Sequence, residues 1–323
     1  MATTALTADL ARPFLSWLAA CERKLTEAVA GHVPAVSDPA RATLSAGGKR
    51  VRPLLTFCAA PRSPDDADVL VSAATSVELV HMATLVHDDL IDGAALRRGQ
   101  PTVARERGAD AAVRVGDFLF ARAFAELTRT GVPEAVRALA GAALDLSRGE
   151  MDQQRAAFDL ALTEKAYLAR VRRKTASLFS VSCRLGAMVG GGGPEAQERL
   201  AAFGEAVGIA FQIFDDILDL GGAPADTGKT RGTDLRGGTV TLPLILALQQ
   251  DPALARAVEL APHDDELVEA LCSRLTAHAG TAMARDRALG FVAAARRALD
   301  GPLDGADVDA LLEIADGVVD RYA

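Results

Sequence analysis

One five-residue pattern occurs twice, as Asp88-Asp89-Leu90-Ile91-Asp92 and as Asp215-Asp216-Ile217-Leu218-Asp219. On a helix, residues i and i+4 stand one turn apart on the same face. The form DDxxD therefore predicts two carboxylate pairs, Asp88 with Asp92 and Asp215 with Asp219. Carboxylates crowded on a half-buried helix repel one another and lose hydration. A hard divalent cation relieves both costs, and Mg²⁺ suits such oxygen ligands while bridging to phosphates. The competing reading is a solvated acidic helix end. Two other acidic runs fit that reading, Asp65-Asp66-Ala67-Asp68 after Pro64 and His263-Asp264-Asp265-Glu266 after Pro262. They sit at expected helix starts, where acids favour the dipole. The two DDxxD runs lie instead at the far ends of long apolar segments, where acids oppose it.

Basic residues supply the complement. Gly47-Gly48-Lys49-Arg50-Val51-Arg52-Pro53 sets three cations behind a Gly pair, and Arg97-Arg98-Gly99 follows the first aspartate run. Arg170, Arg172, Arg173 and Lys174 form a third group, and Gly228-Lys229-Thr230-Arg231-Gly232-Thr233-Asp234 follows the second run. Any one group alone reads equally as salt-bridge partners. Beside two carboxylate runs they point to two oxyanion sites, one carried by metals and one by Arg and Lys directly.

The elements that must position these residues are helices. Apolar residues recur with helical spacing through Ser76–Ile91 (Val77, Val80, Leu85, Val86, Leu90) and through Arg199–Leu220 (Leu200, Phe203, Val207, Phe211, Phe214, Leu218). The only hint of a strand is Thr239–Thr241. Gly- and Pro-rich breakers at 61–64, 131–133, 190–194 and 221–224 separate helical stretches. None is long enough for an interdomain linker, so residues 1–323 are expected to form a single all-α domain.

The composition agrees. Of 323 residues 50% are hydrophobic, 4% aromatic and 24% charged, the profile of a globular chain. A balance of 35 basic against 43 acidic residues argues against broad nucleic-acid binding, which needs cations to displace counterions. Cys21, Cys58, Cys183 and Cys272 are scattered and read as reduced thiols. The start, MATTALTADLARPF, is a poor signal peptide. The richest apolar run, Val69 to Val86, is interrupted by Ser72, Glu78 and His81, so no spanning helix is expected. A cytoplasmic location is expected.

The ordered set GGKRVRP (47–53), VELVHMATLVHDDLID (77–92), LRRGQPTV (96–103), GDFLFARA (116–123), GE (149–150), KTASLF (174–179), FQIFDDILD (211–219) and GKTRGTD (228–234) resembles the trans-prenyltransferases of the polyprenyl diphosphate synthase family. The resemblance covers about Leu44 to Pro243. It implies an all-α helical bundle around a deep central cavity, as a homodimer, with the two aspartate runs facing each other at the cavity mouth. It implies Mg²⁺, three ions with diphosphate bound, held by Asp88, Asp89, Asp92, Asp215, Asp216 and Asp219. Arg97, Lys174 and Lys229 correspond to contacts of the allylic diphosphate. Lys49, Arg52, His81 and Arg98 correspond to the site for isopentenyl diphosphate. Thr175 and Gln212 correspond to residues lining the reacting carbons. The family pattern DLxxGK reads here Asp234-Leu235-Arg236-Gly237-Gly238-Thr239. Thr239 stands where Lys is expected, and Arg236 is the nearest candidate to replace the lost cation.

Product length follows from the helix carrying the first run. Ala83 and Thr84 lie roughly 6–7.5 Å below Asp88 at ~1.5 Å per residue. Short-chain family members place an aromatic floor there, and this chain does not. Val80, Val77 and Ser76 beyond them are also of modest size. A long-chain product, C30 or more, is expected unless Phe118, Phe120 or Phe124 closes the tunnel. Geranylgeranyl or farnesyl diphosphate synthesis is the alternative within the family. A class I terpene cyclase is disfavoured, because its second metal run usually reads NDxxSxxxE. A non-catalytic partner subunit tends to lack the aspartates, and a scaffold or metal-storage protein leaves the basic motifs unexplained.

Overall fold

The computed structural model describes residues 12–60, 67–221, 231–303 and 305–320. Helices dominate, in the order α1 (Leu15–Val29), α2 (Pro34–Ser45), α3 (Val51–Cys58), α4 (Ala67–Ile91), α5 (Val103–Arg107), α6 (Ala109–Thr128), α7 (Pro133–Arg155), α8 (Glu164–Val171) and α9 (Ser177–Val189). They continue with α10 (Pro194–Gly221), α11 (Thr233–Gly237), α12 (Leu242–Gln250), α13 (Leu254–Leu260), α14 (Asp265–Thr276), α15 (Ala279–Ala298) and α16 (Val308–Asp320). The all-α class expected from periodicity is the class observed. Backbone contacts group the chain into two compact units, one of Met1–Ala143, Leu178–Gly204 and Leu299–Glu313, the other of Leu144–Ser177, Glu205–Ala298 and Ile314–Ala323.

The first unit is organised on α4. This helix is apolar on every side, and Leu70 through Val80, Met82, Ala83 and Val86 are buried. Fully burying each large aliphatic side chain contributes ~1.5–3 kcal/mol. By length and composition α4 is apolar enough to cross a membrane, with a mean hydropathy of 1.7 over 18 residues, yet 78% of that window is buried inside the protein. Its apolarity serves the core. α4 packs extensively on α6. A Cβ at Gly116 of α6 would lie 2.0 Å from Nε2 of His87, so the absence of a side chain there lets α4 seat its imidazole against the α6 backbone. Asp68 stands in the first turn of α4, as expected for a dipole-favouring acid, while Asp65 and Asp66 lie outside the described residues.

A short hairpin follows α4, with β1 (Leu96–Arg97) antiparallel to β2 (Gln100–Pro101). Its two turn residues, Arg98 (φ 53°) and Gly99 (φ 76°), both have positive φ, as in a type I′ turn. Thr239–Thr241, the one hint of a strand in the sequence, forms none. Among the described residues no strand pairs with that segment, and Thr241 instead precedes α12, with Pro243 in its first turn.

In the second unit α12 packs chiefly on α15. Asp264 accepts the Leu267 N–H (3.0 Å) and caps α14, as its position after Pro262 predicts. A π-helical turn, Arg172–Ala176, links α8 to α9. All four cysteines are buried and free, and burial pushes the Cys21 thiol up to about 12.

Candidate functional site

The first aspartate run forms the C-terminal end of α4. Asp88 is half-buried, Asp89 is 5% exposed, and Asp92 lies just past the helix and is exposed. The Asp92 N–H still donates to the Asp88 carbonyl (2.8 Å). The β1–β2 turn carries Arg97 back to Asp89. Arg97 Nε donates to both carboxylate oxygens (2.8 and 2.9 Å), and Nη2 lies 2.7 Å from Oδ1. The hairpin is fastened to the helix end, because Ala94 N–H donates to the Asp89 carbonyl (2.9 Å) and Thr102 Oγ1 to the Ala94 carbonyl (2.7 Å).

Beside this fork, within the first unit, lies a cleft of about 590 Å³ whose lining includes Arg50, Glu78, His81, Asp89, Arg97 and Arg98. The loop before α3 supplies its cations. Arg50 precedes α3 in the left-handed region (φ 50°), uncommon for a side-chain-bearing residue. Two carboxylates hold it there. Its Nε donates to Glu22, and its Nη1 to Glu78 Oε1 (2.8 Å). Burial alone would lower the Arg50 pKa, but these two acids raise it overall. A Cβ at Gly48 would lie 2.7 Å from Arg50 Nη1 and 3.2 Å from Arg98 Nη1, so two guanidinium groups converge on one stretch of bare backbone.

Like charges are thereby forced together. Burial, then Arg50 and Arg97, depress the Arg98 pKa against the pull of Glu78. Burial lowers Arg52 to about 10, again opposed by Glu78. Its guanidinium lies 4.7 Å from the Phe179 ring centroid, and its Nε is buried without a hydrogen-bond partner. Burial, then Arg52, Arg98, Arg97 and Arg50, hold His81 well below the usual imidazole value, so its ring is neutral. An anion with several oxygens is the ligand that relieves such a cluster. Lys49 sits on the same loop and is exposed. The structure thus brings Arg52, His81, Arg97 and Arg98 to one region. It adds Arg50 and Glu78, which sequence reasoning did not assign. The available signal was Glu78 itself, a charge inside an otherwise apolar run.

The second aspartate run ends α10. Asp216 is 4% exposed. Its Oδ1 accepts from Gln212 Nε2 (2.8 Å) and its Oδ2 from the Tyr167 hydroxyl (2.6 Å), while Thr175 Oγ1 donates to Gln212 Oε1 (2.7 Å). Burial pushes the Asp216 carboxyl up to about 7, opposed by the bonds from Tyr167 and Gln212 and assisted by Asp215. Asp219 accepts the N–H groups of Thr233 and Asp234 (both 3.1 Å), and its carbonyl takes the Gly232 N–H (2.9 Å). It therefore anchors the start of α11.

Lys174 and Thr175 lie in the π-helical turn, a distortion that recurs at functional sites. A Cβ at Gly149 would lie 2.5 Å from the Lys174 amide nitrogen, so the Gly149-Glu150 pair lets α7 approach that turn. Lys174 Nζ pairs with Glu150 Oε2 (2.5 Å). Lys229 lies outside the described residues. Arg236, the candidate to replace the cation missing at Thr239, is engaged by other partners. Its Nε donates to Asp265 (3.1 Å) and its Nη1 to the Arg231 carbonyl, which turns the guanidinium toward α14. Tyr167, which sequence reasoning did not single out, and Arg170, read there only as one of a basic group, join the second run. That Tyr167 is one of two tyrosines in the chain was the only hint.

Among the described residues no three His, Cys, Asp or Glu side chains form a ready-made ion site. The donor chemistry nonetheless fits a hard divalent cation. Each run offers carboxylate oxygens alone, and each buried middle aspartate is oriented by hydrogen-bond donors from the protein, as the outer partners of metal ligands orient them.

For the residues read as setting chain length, Val80 and Ala83 are fully buried in the first unit. Thr84 Oγ1 donates to the His81 carbonyl (2.8 Å). Phe118 packs on the His32 ring at 4.9 Å and Phe120 on His87 at 6.0 Å.

The profile of the polyprenyl synthetase family matches residues 33–275. The chain is 40% identical over 248 residues to heptaprenyl diphosphate synthase component 2 of Geobacillus stearothermophilus, covering 77% of this chain and 78% of that protein. It is 39% identical over 293 residues to nonaprenyl diphosphate synthase of Mycobacterium tuberculosis, covering 89% and 87%. The crystal structure of a polyprenyl synthase from Caulobacter crescentus, complexed with calcium and isoprenyl diphosphate, matches with a TM-score of 0.91 at 35% identity, over 98% of each chain. Repeated aspartate runs, the arginine cleft beside the first of them and these likenesses agree, and the chain belongs to the polyprenyl synthetase family.

Proposed function

We propose that this chain condenses isopentenyl diphosphate with an allylic diphosphate in a Mg²⁺-dependent reaction and makes a long-chain trans-polyprenyl diphosphate, C30 or more. The observation that carries the reading is Arg97. One guanidinium grips the buried aspartate of a DDxxD run and also lines a cleft of converging arginines, so a carboxylate site and a directly cationic site adjoin.

Asp88, Asp89, Asp92, Asp215, Asp216 and Asp219 hold the metal ions. Bound Mg²⁺ supplies positive charge where the leaving diphosphate becomes more negative. Arg97, Lys174 and Lys229 add fixed charge to the same oxygens. Lys49, Arg52 and Arg98, joined by Arg50, bind the diphosphate of isopentenyl diphosphate, with neutral His81 beside them. The allylic C–O bond breaks, and both electrons leave with diphosphate. The double bond of isopentenyl diphosphate attacks the resulting cation, held in place so that the encounter is effectively unimolecular. A proton then leaves the adjacent carbon for the released diphosphate. Thr175 and Gln212, fixed by their mutual hydrogen bond, line the reacting carbons.

The small side chains of Val80, Ala83 and Thr84, and the names of the heptaprenyl and nonaprenyl relatives, support the long product. The word "component" in the Geobacillus protein's name describes a multipart enzyme. This favours a second reading for assembly, a complex with another protein in place of the homodimer. The test incubates the purified chain with Mg²⁺, farnesyl diphosphate and labelled isopentenyl diphosphate and sizes the products. Products of C30 or longer are expected. A sole C15 or C20 product refutes the length. Absence of any metal-dependent consumption of isopentenyl diphosphate refutes the reaction for the isolated chain.

A further inference from the structure

The buried aspartate of each run is held by a donor from another segment, but the donors differ. Asp89 is gripped by a cation, Arg97. Asp216 is gripped by the neutral hydroxyl of Tyr167, 49 residues away on α8. Tyr167 is fully buried. Arg170, one turn further along α8, places its guanidinium carbon 5.4 Å from the Tyr167 ring centroid. Arg170 is itself 5% exposed, and its Nη2 donates to the Val240 carbonyl (2.7 Å) while its Nη1 is buried without a hydrogen-bond partner. Val240 follows Thr239 at the end of the segment whose beginning, Gly232 to Asp234, is held by Asp219. One face of α8 thus fixes an aspartate of the second run and also the chain that returns from that run.

We propose that Tyr167 is a positioning residue for the metal–diphosphate centre, setting the Asp216 carboxylate through its hydroxyl, with Arg170 bracing the ring against the Val240 backbone. The inference rests on the reading of Asp216 as a metal contact. Its geometry suits that task. Each carboxylate oxygen accepts one hydrogen bond, from Gln212 and from Tyr167, and keeps a further lone pair for an ion. Outer partners of this kind typically change metal affinity by roughly 10–100-fold when removed. A tyrosine serving the core alone would contribute through its ring, which phenylalanine preserves.

The test measures Mn²⁺ binding by electron paramagnetic resonance in the presence of inorganic pyrophosphate, for the wild-type chain and for Tyr167→Phe. Steady-state turnover is measured in parallel. The variant is expected to bind Mn²⁺ about 10-fold more weakly, with a lower kcat and an unchanged KM for isopentenyl diphosphate. Arg170→Met is expected to show a smaller loss of the same kind, and Arg170→Lys to recover part of it. These two variants carry the test if Tyr167→Phe does not fold. Mn²⁺ affinities within twofold of wild type in all folded variants overturn the inference alone. A wild-type chain that takes up no Mn²⁺ with pyrophosphate overturns the functional reading as well.

Discussion

Glu78→Gln perturbs the cationic cleft with little change of shape. Glu78 is 3% exposed, bonds Arg50 at 2.8 Å, and is the acid that opposes the depression of both Arg52 and Arg98. Removing one partner of a buried ion pair costs about 3–5 kcal/mol. Arg50 keeps Glu22, whose side chain is 46% exposed, so the low end applies, about 3 kcal/mol. At ~2 °C per kcal/mol for a large chain, the melting temperature should fall by ~6 °C. An anion in the cleft replaces the lost negative charge. Added isopentenyl diphosphate, without metal, should therefore raise the melting temperature of Glu78→Gln more than that of wild type. Thermal melts monitored by circular dichroism, with and without the ligand, give both numbers. Equal ligand-induced shifts in the two proteins would refute the view that Glu78 is a counter-charge standing where an anion is wanted.

His81 is held neutral by burial and by Arg52, Arg98, Arg97 and Arg50, well below an unfolded value near 6.5. A depressed folded pKa gives stability that is present above the unfolded pKa and lost as pH falls below it. One proton sets the limit, so stability should fall by up to ~1.4 kcal/mol per pH unit below about 6.5. Denaturant melts should show that slope reduced in His81→Gln. Gly149→Ala places a methyl group 2.5 Å from the Lys174 amide and should cost about 1–3 kcal/mol, together with a turnover loss of at least ~10-fold through misplaced Lys174 and Thr175. Thr239→Lys restores a cation and should lower the Michaelis constant for the allylic substrate, an effect that a substrate titration detects or excludes. Thr84→Phe, one turn before Asp88, should shorten the products seen by mass spectrometry, and an unchanged C30-plus distribution would remove α4 as the ruler.

Helices were legible because their signal is local. The apolar spacing of 76–91 and 199–220 lies within α4 and α10, and Pro-led acids marked the start of α14. The hairpin at 96–101 was not legible, because two-residue strands carry no periodicity and its signature is a pair of backbone angles at Arg98 and Gly99. The basic motifs marked Arg50, Arg97 and Arg98, which line the cleft. They could not reveal that Arg50 adopts a left-handed backbone between Glu22 and Glu78, since those three residues meet only after α1, α3 and α4 have packed.

The two DDxxD runs are nearly interchangeable as text, yet their buried aspartates are held by opposite kinds of donor. Asp89 faces a guanidinium, which sets a positive charge directly against its carboxylate. Asp216 faces a hydroxyl and an amide, which each occupy one lone pair without supplying charge, and burial raises its pKa against these bonds and the more distant Arg170. Two hydrogen bonds cannot offset the lost hydration of a buried anion, so the second run depends more strongly on an external cation than the first. A divalent ion should accordingly stabilise the chain mainly through 215–219. Asp216→Asn should remove most of the Mg²⁺-plus-pyrophosphate shift in melting temperature, whereas Asp89→Asn, which also frees Arg97 toward the anion, should remove less. The reverse ranking in the same melts would show that charge at Asp89, rather than desolvation at Asp216, sets the demand for metal.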